Sequence, residues 1–166
     1  MKVALGCFLL IPLLIFTTVR TVKKVRYDID CGGHLKRAAD ANTVEIAKIE
    51  LKTTLDYLKE NEMTKGYTSV LYQTPDEDIA FWFNNLTQSY GELERVTENA
   101  SQLEKSNLLI KLRETLLDHG KDGDTVTEPL GISIYPNNVM YAWWALISGL
   151  MACVGVGLLL WKIFEH

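Results

Sequence analysis

Cysteine and histidine are scarce in this chain, and each shortage closes off a chemistry. The 166 residues hold three cysteines and three histidines. Cys7 and Cys153 fall inside uncharged apolar runs, which leaves Cys31 alone in the polar part of the chain and excludes a disulfide there. A structural zinc site needs about four ligands. Cys31 and His34 supply two, and only His119 could add another from the polar part. Cys31-Gly32-Gly33 therefore reads as a turn entering a helix rather than as a metal site. Phosphate-binding glycine loops, a nucleophile elbow and a His-Glu-x-x-His signature are all missing, so neither an enzyme nor a cofactor is expected. A basic excess is missing too. From Arg20 to Asn138 there are 15 basic and 20 acidic residues, a balance that argues against a nucleic-acid partner.

Charge itself is absent from two long stretches. Residues 3–19 carry none, and residues 126–161 carry only Glu128. A charge at the centre of a bilayer costs a few kcal/mol, so this segregation is the mark of a membrane protein. The sequence divides into a first span at 3–19, a soluble domain at 20–138 and a second span at 139–163. The first run is short for a span, but no small-x-small cleavage site follows it, so an uncleaved anchor is expected. The second run is framed by Tyr135, Tyr141, Trp143 and Trp144 at its start and by Trp161 and Phe164 at its end, as an aromatic belt would be.

The basic residues Arg20, Lys23, Lys24 and Arg26 follow the first span directly. By the positive-inside rule they place the soluble domain in the cytoplasm, and they are candidate contacts for anionic lipid headgroups. In the second span Ala145, Gly149, Cys153 and Gly157 recur at every fourth position, a candidate ridge for helix packing.

Three helices are expected in the soluble domain. In the first, at about 34–63, Val44, Ala47, Leu51, Leu55 and Leu58 share one face. Ile46, Ile49 and Tyr57 form a second apolar stripe. The sequence Thr74-Pro75-Asp76-Glu77 matches a capping box with proline at the first helical position, so the second helix is expected to start there. Its core stripe is Ile79, Phe83, Leu86, Tyr90 and Leu93, with Phe81 on the opposite face. The third runs from a Ser101 cap to His119-Gly120. Period-two alternation at Val25, Tyr27, Ile29 and at Ile132, Ile134 suggests a short juxtamembrane two-stranded ribbon, and 121–124 reads as a turn.

The expected fold is thus a mostly α membrane protein, with two transmembrane helices flanking a soluble bundle of about three helices. A three-helix bundle needs one broad apolar stripe per helix. The extra stripe, with Phe81, Ile46, Ile49 and Tyr57 as candidate contacts, points to a protein partner or self-association. The expected function is a membrane-anchored scaffold, adaptor or assembly subunit. The alternative is a sensor whose helical domain takes a small ligand.

Overall fold

The computed structural model describes residues 2–97, 99–120 and 123–164. The chain is mostly helical, with a small two-stranded antiparallel sheet, and it divides into two compact units.

The first unit, residues 2–25 and 137–164 among those described, is a pair of long helices. Helix α1 spans Lys2–Tyr27, its last two residues belonging to the second unit, and α6 spans Asn138–Phe164. Both are long and apolar enough to cross a membrane. They pack antiparallel along a seam. At one end Phe16 meets Trp144 edge to face, with centroids 5.5 Å apart, and lies beside Tyr141. At the other end Gly6 and Gly155 bring the two backbones together: a Cβ placed on Gly155 would sit 2.8 Å from the Gly6 carbonyl oxygen. Among the described residues of α6, Asn138, Tyr141, Ser148, Ala152 and Gly155 are buried.

The seam between α1 and α6 does not run along the expected ridge. Gly149 and Gly157 face open space, Cys153 is exposed and Ala145 is only half-buried. At about 100° per residue a strict four-residue step drifts by about 40° each time, whereas mixed steps of three and four hold one face.

The second unit, Arg26–Pro136, carries its own hydrophobic core. Residues 25–29 are not a strand. Helix α1 runs on into a π-helical turn, Asp28–Gly32, and then into α2, Gly33–Ala39. Tyr27, Cys31, Leu35 and Ala38 are buried along this path. Their steps of four and three residues are a helical stripe that the local alternation concealed.

Helix α3 spans Val44–Glu60 and is capped by Thr43, whose Oγ1 accepts from the Ile46 amide at 3.2 Å. The expected first helix is therefore broken at Asp40–Thr43. Val44, Ala47, Leu51, Leu55 and Leu58 are all buried. The helix ends before Gly66, in a Schellman turn. The Met63 amide reaches the Leu58 carbonyl at 2.8 Å, and Glu62 takes the left-handed position at φ 57°. The buried Met63–Leu58 pair supplies the apolar contact typical of this motif. Gly66 also has positive φ, in the loop that follows, where the Tyr135 hydroxyl leaves no room for a Cβ.

Helix α4 spans Ile79–Arg95. Its cap is Asp78, whose Oδ1 accepts from the Ala80 and Phe81 amides at 2.8 and 3.2 Å. Pro75–Glu77 form a separate 3-10 turn, and the Thr74 hydroxyl donates to the Glu77 carboxylate rather than capping a helix. The capping-box pattern thus marked a turn one step upstream of the helix. Ile79, Trp82, Leu86 and Leu93 are buried, while Phe83 and Tyr90 pack at the edge of the core.

Helix α5 spans Gln102–Leu116, with Ser101 as its cap. It stops short of the expected end. Strand β1, Leu117–Gly120, pairs antiparallel with β2, Gly123–Val126. Of the turn expected at 121–124, Lys121 and Asp122 lie outside the described residues, and Gly123 and Asp124 belong to β2. Arg113 ties this hairpin to the helices, bonding Asp40 at 3.2 Å and Asp124 at 2.7 Å. Hydrogen bonds from His119 and Arg113 hold the Asp124 carboxyl down to about 2, so the clasp stays ionised above that pH. Residues 132–134 form a 3-10 turn instead of a strand.

Candidate functional site

The second unit leaves large apolar side chains in solvent beside a groove along α4. The floor of the groove is Trp82 and Leu86, both buried. Trp82 Nε1 donates to the Thr127 carbonyl at 2.8 Å, which fastens the segment after β2 to the helix. Pro129 and Gly131 then turn the chain. The Ile132 amide bonds the Pro129 carbonyl at 3.1 Å, and Gly131 sits at φ 79°, ψ 13°, the value that a type II turn requires at its third residue. That turn holds Leu130 out at 79% exposure. Across the groove Phe81 stands 63% exposed on the first turn of α4. The space between them is about 320 Å³.

Carboxylates rim this space: Asp76, Asp78, Asp118 and Glu128 line it, and no Lys, Arg or His does among the described residues. The groove continues in both directions. Past Phe81 it meets a depression lined by Tyr67 and Gln73. Past Asn85 and Thr115 it runs between α4 and α5 to Lys111, which bonds both oxygens of Glu92 at 2.6 and 2.7 Å.

Glu128 links the groove to the interior. It lies near Tyr27 and Cys31, and the Tyr27 phenol is pushed far above its usual range, first by burial and then by these two acidic neighbours. The phenol therefore stays protonated and can only act as a neutral hydrogen-bonding group.

The four residues expected to meet a partner do not form one surface. Phe81 lines the groove. Ile46 and Ile49 are exposed on α3, and neither lines the groove. Tyr57 packs edge to face on Tyr27, centroids 6.2 Å apart, so it is partly core rather than a free stripe. Arg20, Lys23, Lys24 and Arg26 are exposed on the last turns of α1, where Arg20, Lys23 and Lys24 share a face. Cys31 and His34 part company: Cys31 is fully buried, whereas His34 Nδ1 donates to Glu50 at 2.6 Å. Glu50 also takes Arg37 at 2.5 Å. This buried carboxylate, 5% exposed, joins α2 to α3 and was hidden in the sequence within a mostly apolar face. No group of three metal-binding side chains occurs among the described residues.

The groove was likewise hidden, because it joins Phe81 to Leu130 from distant parts of the chain. Its one sequence sign, a bulky residue before the glycine of Pro129-Leu130-Gly131, is weak alone.

Compared with protein-family models, with curated proteins and with solved structures, the chain shows no significant match to any of them.

Proposed function

We propose that this chain is a two-span membrane protein that holds its helical unit at the membrane as a protein-binding module, acting as scaffold, adaptor or assembly subunit. The observation that carries the binding reading is the pair Phe81 and Leu130, two large apolar side chains held out on either side of one groove. Burying each in a partner would contribute about 1.5–3 kcal/mol.

The membrane reading rests on the outer faces of α1 and α6. Phe8, Leu14, Trp143, Leu150 and Val154 point outward, and only 11% of the apolar window in the first helix and 17% in the second is buried. Such surfaces suit lipid and would aggregate in water. The hydroxyls of Thr17, Thr18 and Ser148 all bond backbone carbonyls of their own helix, at 2.7–3.0 Å in their shortest contacts, as hydroxyls in hydrocarbon must. Arg20, Lys23, Lys24 and Arg26 then orient the unit to the cytoplasm and would each add about 1 kcal/mol against anionic headgroups.

A photoreactive phenylalanine analogue at position 81 tests the binding reading in native membranes. A discrete adduct is expected at Phe81 and none at Lys52, an exposed α3 position outside the groove. Equal crosslinking at both positions, or none at Phe81, would count against it.

A further inference from the structure

We infer that the Phe81–Leu130 groove takes an extended protein segment that combines large apolar side chains with Lys or Arg. This rests on the protein-binding reading and names the chemistry of the partner.

Three features of the groove converge on that occupant. The first is its rim. Asp76, Asp78 and Asp118 line the central part, and no Lys, Arg or His lines it among the described residues; Glu128 also lines it but turns its carboxyl toward Tyr27 in the interior. Asp78 is half committed to the amides of Ala80 and Phe81, whereas Asp76 and Asp118 are exposed at the rim. An anionic partner would be repelled, and a purely apolar one would strip water from carboxylates without replacing it. Lys or Arg does neither, because its stem covers apolar surface while its head reaches the rim.

The second feature is the apolar centre. Phe81 and Leu130 face a space of about 320 Å³, enough to seat a large side chain, above a floor closed by Trp82. A partner that was only basic would leave them wet.

The third is continuity. The central space shares Pro75, Asp78 and Phe81 with the depression at Tyr67, and Asn85 and Thr115 with the cleft between α4 and α5. A small cationic molecule would occupy one compartment, whereas an extended chain can follow all three. Among the described residues the one lysine on the track, Lys111, is neutralised by Glu92.

The groove is also pre-formed. Leu130 is set by a hydrogen-bonded turn and Phe81 by a capped helix, so little ordering is required on binding.

The test uses the full chain in nanodiscs of zwitterionic lipid, with empty discs subtracted, and short fluorescent peptides read by anisotropy. A peptide of alternating Leu and Lys should bind. One of alternating Leu and Glu, and one of alternating Ser and Lys, should not. Phe81→Ala should weaken the Leu/Lys peptide by about tenfold, the scale of an aromatic anchor. The pair Asp76→Asn and Asp118→Asn should weaken it by about fivefold, the scale of two exposed charge pairs. All three positions project from the surface or the rim, so these variants keep the core. The inference is overturned if the Leu/Lys peptide fails to bind, if either control peptide binds as well, or if the variants bind it unchanged. It is also overturned if the Phe81 adduct has twice the mass of the chain and the peptide does not compete with it, since the occupant would then be a second copy. An adduct at Phe81 with no peptide binding defeats only this inference, whereas no adduct at all defeats the binding reading beneath it.

Discussion

Trp82→Ala should destabilise the Arg26–Pro136 unit by about 3–5 kcal/mol, the usual cost of deleting a large buried aromatic side chain. Trp82 is 6% exposed and sits between the core and the groove. Its loss opens a cavity and also removes the Nε1 bond to Thr127, which fastens the segment carrying Glu128, Pro129 and Leu130. Trp82→Phe separates the two effects. It keeps most of the packing but leaves the Thr127 carbonyl without that donor, at a cost of about 1–3 kcal/mol. Denaturant unfolding of the full chain in detergent, followed by circular dichroism, should rank wild type above Trp82→Phe and Trp82→Ala last. A Trp82→Ala protein within about 1 kcal/mol of wild type would mean that α4 is not anchored through this residue, since changes that small are ordinary for surface positions.

The second large effect lies between the long helices and is selective among glycines. Gly155→Ala puts a methyl group 2.8 Å from the Gly6 carbonyl oxygen and 3.1 Å from Leu9 Cβ. The first of these is backbone and cannot swing aside, so the helices must separate or tilt, at a cost of about 1–3 kcal/mol for an overpacked site. Gly6→Ala meets Gly155 and Leu159 in the same way. Gly149→Ala and Gly157→Ala meet nothing within 4 Å, although both glycines lie on the same helix. There the gain of about 0.5–1 kcal/mol from replacing glycine within a helix should emerge. Melting in detergent should therefore fall for Gly155→Ala and Gly6→Ala, and hold or rise for the other two. The reverse order would place the seam on the four-residue ridge that includes Gly149 and Gly157.

Those glycines also show where the sequence could be read and where it could not. The two apolar helices, the α3 core face from Val44 to Leu58 and the Ser101 cap depend on local pattern, and the structure agrees with that pattern. Failures arose where a local signal had two meanings. Val25, Tyr27 and Ile29 alternate over five residues, but Tyr27, Cys31 and Leu35 step by four, and the longer period governs because all three residues are buried. Thr74 and Glu77 do hydrogen-bond to each other, yet Asp78 caps α4 because its side chain lies closer to the first free amides. The end of α3 carried no visible signal, since a glutamate at position 62 takes the left-handed place that glycine usually fills. Glu50 looked like a surface residue until His34 and Arg37 came to it from α2. The groove was least legible. Its two apolar walls are far apart in sequence, and contacts such as the Trp82–Thr127 bond bring them together.

The central claim is that α1 and α6 cross a membrane and leave the intervening unit in the cytoplasm. Cys31 cannot report on this, because it is fully buried and would stay unlabelled on either side. Glu114 is exposed on α5, so Glu114→Cys creates an accessible thiol, with the unsubstituted chain as background. A membrane-impermeant maleimide applied to intact cells should leave Glu114→Cys unlabelled, and strong labelling should appear once the cells are lysed. Labelling of equal strength before and after lysis would contradict the account, since it would put the helical unit, and the groove with it, on the outer side of the membrane.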